Sequence, residues 1–223
     1  MKRIGLIGGL GVGAGMYYYE KLAAAFVERG VQPGLVVSHA DIGRAYTLVQ
    51  QGEMQALAGY LNEHLEMLKQ AGYEIAAIAA VTPLICWPQL KPIATLPIVD
   101  VFDCVNAELA RRGVKRVGIL GTQFVMQSDM FGRLQGVEIV RLTPEELDLV
   151  QRNYLIIART ANVAYADIEA IRAIAKRLTE SGADVVILAG TELSLAFDEA
   201  TAGFPALDSG RVHVNAIVET ALA

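Results

Sequence analysis

The stretch Lys2–Gly9, KRIGLIGG, recurs as KRVGILGT at Lys115–Thr122, 113 positions further along the chain. Both copies are short apolar runs that stop at glycine, the pattern of a buried strand followed by a tight turn. A second pair of segments also repeats, IAAIAAVTPL at Ile75–Leu84 and ADVVILAGTEL at Ala183–Leu193. In each of these, an apolar strand leads into a small residue with threonine close behind. The repeat therefore predicts two similar α/β halves.

Between the repeated segments, short apolar runs alternate with longer amphipathic runs, which is typical of βαβ units and parallel sheets. We therefore predict an α/β fold: two similar three-layer α/β/α domains with mainly parallel sheets, related by a pseudo-twofold axis around a shared cleft. The first domain is expected to comprise residues 1–99 plus 209–223, and the second residues 100–208. The predicted strands are Arg3–Ile7, Leu35–Ser38, Ile75–Ala79, Ile98–Val99, Arg116–Leu120, Glu138–Arg141, Val185–Leu188 and Ala206–Leu207. The predicted helices are Ala14–Arg29, Glu53–Gln70, Phe102–Arg112, Pro144–Thr160, Ala166–Ser181 and Arg211–Leu222.

Composition excludes several classes of function. The net charge is −5 and the basic residues are scattered, so we expect no nucleic-acid partner. The apolar runs are too short to span a bilayer, so we expect no membrane segment. Two cysteines are too few for a disulfide framework and fit a reducing cytoplasm. The three histidines are not spaced as metal ligands, and we expect no metal.

The glycine-rich turn GGLGVGA at Gly8–Ala14 has two interpretations. Its Gly9-x-Gly11-x-x-Ala14 spacing resembles a dinucleotide-binding fingerprint. That fingerprint also needs an acidic residue at the end of the second strand, about 20 positions on. Here Asp41 comes too late, after Ser38 and His39. We favour a turn whose amides approach a small anion, and we expect no cofactor.

Ligands of parallel α/β sheets bind beyond the carboxyl ends of the strands. The sequence places four turns there, at Gly8–Gly15, Ala80–Leu84, Gly121–Ser128 and Gly190–Leu193. Three of their hydroxyl side chains are candidates either for binding a carboxylate or for capping a helix, and both interpretations stay open; these are Thr82, Thr122 and Ser128.

Other candidate residues have plain structural alternatives. His39 follows a predicted strand and is a candidate to face the cleft, whereas His64 fits surface or packing and His213 lies just after Asp208-Ser209, where the last helix begins. Cys86 lies among apolar neighbours, as a core cysteine does, although a nucleophilic role is the alternative.

In their order along the chain, these segments resemble the aspartate/glutamate racemase superfamily. IGLIGGLGVGAGMYYYEKL resembles the family's opening, AAVTPLICWPQL its Asn-Thr-Pro-His segment, GILGTQFVMQSDMF its Gly-Thr-x-x-Thr-Met segment and VVILAGTELSL its Gly-Cys-Thr-Glu segment. FPALDSGRVHVNAIVETAL resembles the closing Asp-Ser/Thr…His helix. The resemblance covers nearly the whole chain.

This resemblance implies cofactor-independent enzymes, often dimeric, in which two thiols or a thiol and another group flank the substrate α-carbon. One group removes the α-proton and the other returns a proton to the opposite face. Here the first thiol position falls on Ala80 and the second on Gly190. Other family positions are also changed, at Val81, Leu84, Val125 and Phe131, while Thr82, Thr122, Thr191 and Glu192 match.

We therefore expect a protein that acts on a small carboxylate or amino-acid-like ligand by isomerase- or lyase-type proton chemistry without the cysteine pair. The candidate acid/base residues are Glu192, His39 and Asp41, with Asp208 and Cys86 behind them. The candidate substrate-binding residues are Gly9, Gly11, Thr82, Thr122, Ser128 and Thr191. One alternative is an inactive homologue that binds or regulates, and a second is an amino-acid racemase with a non-motif base. A homodimer is the expected assembly.

Overall fold

A computed structural model of the chain describes residues 1–160 and 165–223. The strands in these ranges are β1 (Ile4–Gly8), β2 (Leu35–His39), β3 (Ile75–Ile78), β4 (Arg116–Gly121), β5 (Glu138–Ile139), β6 (Val185–Ala189) and β7 (Ala206–Asp208). The α-helices are α1 (Val12–Glu28), α2 (Ile42–Gln51), α3 (Met54–Gln70), α4 (Trp87–Leu90), α5 (Val101–Arg112), α6 (Gln123–Gln127), α7 (Pro144–Thr160), α8 (Tyr165–Glu180), α9 (Thr191–Ala196) and α10 (Ser209–Leu222). A 3₁₀ helix spans Thr82–Cys86. No helix within the described ranges combines the length and the apolar composition needed to cross a membrane.

The first compact unit comprises residues 1–100 and 213–223. Its sheet has the order β2-β1-β3 and all pairs are parallel. The central strand β1 is buried along its whole length, as its unbroken apolar sequence predicts for a strand covered on both faces. Side chains from α1, including Leu22 and Phe26, pack with residues of β1, β3 and the C-terminal helix in one apolar core.

The second compact unit comprises residues 101–212. Its sheet has the order β5-β4-β6-β7, again with all pairs parallel. The buried strands β4 and β6 lie at its centre, and each leads at its carboxyl end into one of the predicted turns. The predicted α/β class with parallel sheets is confirmed. The pseudo-twofold relation, the shared cleft and the domain bounds stay predictions.

The two sheets are built alike in the detail of their packing. A Cβ added to Gly5 of β1 would lie 2.6 Å from Cδ1 of Leu68, and one added to Gly118 of β4 would lie 2.8 Å from Cδ1 of Leu178. Gly5 and Gly118 are the fourth residues of the two repeated KR segments. In both units, glycine at this strand position lets a leucine of the covering helix approach the backbone.

In each unit, an acidic residue stands immediately before the strand that pairs with β1 or β4. Glu74 accepts a hydrogen bond from the backbone N–H of Arg3, at 3.0 Å. Asp184 accepts hydrogen bonds from the backbone N–H groups of Lys115 and Arg116, each at 2.8 Å. These backbone donors lower the pKa of Asp184. The sequence repeat thus extends to the contacts that join adjacent strands.

Two predictions about local structure were wrong, and one helix was missed. Ile98–Val99 is not a strand, because only a single bridge joins Ile98 to Ala76. Thr82 does not act as an N-cap: the 3₁₀ helix already includes it, and Val81 stands at the cap position without a side-chain hydrogen bond. Helix α2 was not predicted, although Asp41 caps its start and Gly52 ends it in a left-handed conformation.

Candidate functional site

The turn after β6 holds a buried acidic side chain. Strand β6 ends at Ala189, Gly190 follows, and α9 begins at Thr191. Glu192 is only 8% exposed and Thr191 is buried beside it. Burial of an ionisable carboxyl requires compensating hydrogen bonds, so the partners of Glu192 decide what it can do.

Tyr154, on α7, supplies such a partner. Its hydroxyl donates a hydrogen bond to Oε2 of Glu192, and the tyrosine is 6% exposed. Burial raises the pKa of Tyr154 well above its usual range, and the adjacent Glu192 charge and hydrogen bond raise it further. The phenol therefore stays protonated at neutral pH and is a proton donor to the carboxylate.

The same tyrosine occupies the space next to Gly190. A Cβ added at Gly190 would overlap the Tyr154 hydroxyl and would lie 2.8 Å from its Cε2 and 3.0 Å from its Cζ. Gly190 has φ of 175°, an extended conformation open to any residue. The glycine is therefore required by the tyrosine and not by the backbone. Tyr154 and Glu192 are thus hydrogen-bonded beside Gly190. We call them the tyrosine–carboxylate pair at Gly190.

The corresponding turn after β3 offers no such group. Ala80, Val81 and Thr82 are half-buried, and Leu84 is buried. Cys86 lies in the core, where its thiol donates to the Pro83 carbonyl at 3.2 Å. Burial raises the pKa of the Cys86 thiol to about 12, so it stays neutral at physiological pH. The geometry agrees with a core cysteine.

Gly9 is explained by close packing of two backbone segments. It has φ of +82°, and a Cβ there would overlap the carbonyl oxygen of Ala40 and lie 2.8 Å from its nitrogen. A cavity of about 410 Å³ adjoins this turn. Its lining comprises Gly9, Gly15, Met16, Tyr19, Glu20, Val37 and His39. Gly11 stands at the start of α1.

The two acid/base candidates after β2 differ in their surroundings. His39 is exposed and lines the cavity beside Gly9. The carboxylate of Asp41 accepts hydrogen bonds from the backbone N–H groups of Gly43, at 2.7 Å, and Arg44, at 3.3 Å. Asp41 is therefore engaged as the cap of α2, and only His39 presents its side chain to the cavity.

The hydroxyls after β4 bond within their own turn. Thr122 caps α6 by accepting from the backbone N–H of Val125, at 3.4 Å. Ser128 donates to the Phe124 carbonyl and accepts from the backbone N–H of Phe131, at 3.0 Å. Of the two predicted interpretations, the structure shows helix capping for Thr122 and turn closure for Ser128.

Asp208 is likewise engaged by local donors. One of its oxygens accepts from the Ser194 hydroxyl at 2.7 Å and from the backbone N–H groups of Gly210 and Arg211 at 2.8 and 3.2 Å. These bonds fix the start of α10. Asp208 is thus a capping residue in the structure.

The remaining histidines are buried and neutral. Ser38 bonds to Nδ1 of His64 at 2.7 Å, and burial lowers the pKa of His64. His213 donates from Nε2 to the Val99 carbonyl at 2.7 Å, and Tyr18 bonds its Nδ1 at 2.8 Å. Burial lowers the pKa of His213 to about 4. Among the described residues, no three His, Cys, Asp or Glu side chains are grouped to hold a metal ion.

Sequence reasoning missed Tyr154. The residue lies inside an ordinary amphipathic helix, and no motif surrounds it. The only signal was indirect: a glycine at position 190 leaves a space that some other side chain must fill.

Comparison with known proteins now gives the family. The sequence profile described as Asp/Glu/Hydantoin racemase matches residues 7–217, nearly the whole chain. The chain belongs to this family. In the Asp/Glu/hydantoin racemase family, the resemblance places thiols at the positions of Ala80 and Gly190, and neither residue can transfer a proton.

Solved structures share the fold along its full length. A candidate Asp/Glu racemase from Yersinia pestis is similar with a TM-score of 0.89 and 23% identity over 100% of both chains. An aspartate racemase homologue from Pyrococcus horikoshii OT3 gives a TM-score of 0.81 and 27% identity, also over 100% of both chains. An aspartate racemase from Picrophilus torridus gives 0.83 and 19%, covering 99% of this chain and 94% of that one. The chain therefore has the two-domain racemase fold.

Proposed function

We propose that this family member is a cofactor-independent enzyme of the isomerase or lyase type, which moves a proton at the carbon next to the carboxylate of a small acid. The observation that supports this most directly is the tyrosine–carboxylate pair at Gly190. Glu192 is the only ionisable residue of the Gly190–Leu193 turn, and it lies two residues beyond the position of the family's second thiol.

Glu192 is proposed as the base. A carboxylate with restricted access to water and one fixed donor is a usual general base for proton abstraction. Removal of a proton from carbon leaves an enolate-like charge on the substrate carboxylate, which hydrogen-bond donors must stabilise. Thr191, in the same turn as Glu192, stays the proposed contact for this group, whereas the hydroxyls of Thr122 and Ser128 are bonded within their own turn.

Proton exchange in D₂O tests this function. The protein is incubated with aspartate, glutamate and related small acids, and loss of the α-proton signal is followed by NMR. We expect exchange with at least one acid, and a loss of about 100-fold or more in Glu192→Gln, because positioned acid/base groups contribute about 10²–10⁴-fold.

Glu146→Gln is the matched control. Glu146 accepts from the backbone N–H of Thr143 at 2.8 Å, and the Thr143 hydroxyl accepts from the backbone N–H of Glu146 at 3.3 Å. Glutamine also serves in such a capping box, and the variant also removes the charge that pairs with Arg177 of α8, so it reports what loss of a structural carboxylate on α7 does to exchange. Equal loss of exchange in both variants would contradict the assignment to Glu192.

The second candidate function is non-catalytic binding of a small carboxylate. It is favoured by the Ala80–Leu84 turn, which contains no ionisable side chain. Absence of exchange over the whole panel, together with a ligand-dependent rise in Tm, would support binding and overturn the enzyme. Tm rises with any ligand that binds only the native state, so this measurement does not need turnover.

The remaining expectations about assembly and location are also proposals. A homodimer is tested by sedimentation equilibrium of the full chain, where a monomer mass would overturn it. A cytoplasmic location rests on the cysteine usage described above.

A further inference from the structure

We propose that β2 is the contact surface of a homodimer, in which the β2 strands of two copies of this chain pair antiparallel about a twofold axis at Val37. The first sheets of the two copies then form one continuous sheet. This inference rests on the proposed homodimer and goes further, because it names the surface, the register and the residue at the axis. It does not depend on the proposed proton chemistry.

The first argument is the hydrogen bonding of β2. The backbone N–H of Ile4 in β1 donates to the Gly34 carbonyl at 2.7 Å. In a parallel pair, alternate residues turn both backbone groups towards the partner strand. The even-numbered residues of β2 therefore bond to β1, whereas Leu35, Val37 and His39 turn their N–H and C=O groups away from it. Among the described residues, no strand pairs with this outer side of β2.

The second argument is that the other sheet edges in the described ranges are protected. On the free side of β3, the Ala76 N–H donates to the Pro97 carbonyl and the Val99 N–H donates to the Ala76 carbonyl, each at 2.8 Å. Strand β5 has two residues and begins with the exposed Glu138, and β7 is short and buried. By contrast, β2 has five residues, LVVSH, without proline, lysine or an acidic residue. Natural sheets rarely leave such an edge unpaired, because it is a template for another strand.

The third argument identifies the partner as a second copy of the chain. The outward-facing residues of β2 are symmetric about Val37. Two β2 strands can therefore pair antiparallel with Val37 opposite Val37 and Leu35 opposite His39, and each facing pair exchanges both of its N–H···O bonds. A twofold contact uses the same surface on both chains and closes, so neither copy keeps a free β2 edge.

The surface of α1 beside this edge is apolar as well. Met16 and Tyr19 are exposed, and they line the cavity of about 410 Å³ together with Val37 and His39 of β2. Val27 is also exposed and lies on the same face of α1 as Met16, about three turns further along. A short strand alone buries little area for a stable dimer, and this face of α1 can supply more. Antiparallel pairing of β2 brings the α1 helices of both copies to the same face of the joined sheet.

Disulfide cross-linking tests the register. In a Cys104→Ser background, Val37→Cys should give a covalent dimer under mild oxidation, because the Cα atoms of a facing pair lie about 5.5 Å apart, within the range of a disulfide. His39→Cys is the matched control, since it is an exposed position of the same strand. The two copies of that position would lie roughly 14 Å apart along the strands, so it should not cross-link. Non-reducing gel electrophoresis measures both.

Sedimentation equilibrium of the full chain tests the surface itself. We expect a wild-type dimer and a dissociation constant raised about tenfold or more in Val37→Lys, because like charges would face each other across the axis. Met67→Lys is the matched control, since Met67 is an exposed apolar residue of α3, and it should associate as the wild type does.

Amide hydrogen exchange provides a second measurement on the unchanged chain, which is needed if Val37→Lys fails to fold. The amides of Val37 and His39 should become protected as the protein concentration rises through the dissociation constant. The amide of Ser38, which faces β1, should be protected at every concentration.

Three results would overturn the inference. A wild-type monomer at all concentrations would refute both this surface and the proposed homodimer. A dimer that associates as tightly in Val37→Lys, or that leaves the Val37 amide unprotected, would place the interface elsewhere and leave the homodimer intact. Cross-linking through His39→Cys but not through Val37→Cys would refute the register.

Discussion

The turns after β3 and β6 occupy corresponding places in the two repeated halves, yet they have diverged in different ways. At the first, Ala80 leads into Thr82-Pro83 and a 3₁₀ helix, and its nearest thiol is a core residue. At the second, Gly190 has no side chain. Tyr154 fills the adjacent space and donates a hydrogen bond to the buried carboxylate of Glu192. The two positions that the family resemblance assigns to thiols therefore have different surroundings in this chain.

This difference shows that two questions must be kept apart: which residue stands at a position, and which side chain fills the space beside it. The family resemblance treats Ala80 and Gly190 alike, as positions where a thiol is absent. The structure distinguishes them, because an alanine keeps its own Cβ whereas a glycine admits a neighbour. A functional group contributed by a distant helix becomes visible only when the space beside the glycine is examined.

The largest expected stability effect comes from refilling that space. Gly190→Ala should lower the free energy of unfolding by about 1–3 kcal/mol, because the added methyl overlaps the Tyr154 hydroxyl in a packed site. Urea unfolding measures the effect. Gly59→Ala is the control, since a Cβ at Gly59 meets no atom within 4 Å, and alanine in mid-helix should stabilise slightly.

Removing the tyrosine should relieve the overlap. In Gly190→Ala/Tyr154→Ala, the combined loss should be smaller than the sum of the two single losses, with a coupling free energy of about 0.5–3 kcal/mol, the range for residues in contact. Additive losses would show that the pair does not compete for one space, and the contrast with Ala80 would then disappear.

The next effect tests whether the first unit can supply an alternative base. His213 has its pKa lowered from 6.5 to about 4. The unfolded chain therefore binds this proton below pH 6.5, whereas the native protein does not until about pH 4. The contribution to stability is complete above pH 6.5 and is lost as the pH falls towards 4, by about 2 kcal/mol at pH 5.

Urea unfolding at pH 7 and pH 5 measures this loss. His213→Gln cannot titrate in this range, so its stability should fall less between the two values than that of the wild type. The same decrease in both proteins would mean that His213 is not held neutral by burial, and it would become a base available to the first unit.

Much of the fold was predictable because it depends on local and repeated patterns. The unbroken apolar sequences of β1, β4 and β6 specify buried parallel strands, and α7 begins and ends where its periodicity predicts. Ile98–Val99 shows the limit of such reasoning. Its β-branched residues favour a strand, but the pairing that defines one depends on a neighbour 22 positions away, at Ala76.

The candidate site was predictable only in part. Glu192 became a candidate because its turn follows a strand, where parallel sheets place their ligand-binding turns, and because it matches the family's Gly-Cys-Thr-Glu segment. Tyr154 precedes Glu192 by 38 positions and belongs to another helix, so no local spacing links the two. Thr122 and Ser128 follow β4 in the structure, but sequence alone does not distinguish a hydroxyl that caps a helix from one that binds a ligand.

The smallest effect concerns the cysteines, and it tests whether the first turn has a reactive thiol close by. Cys86 is buried and its pKa is about 12, whereas Cys104 is half-buried. In Cys104→Ser, the remaining thiol should not react with Ellman's reagent at pH 8 until denaturant is added, because the thiolate is the reactive form and is absent. Cys86→Ser should keep wild-type exchange and circular dichroism. Rapid labelling of Cys86 in the native protein, together with loss of exchange in Cys86→Ser, would give the first turn a functional thiol and remove the contrast between the two turns.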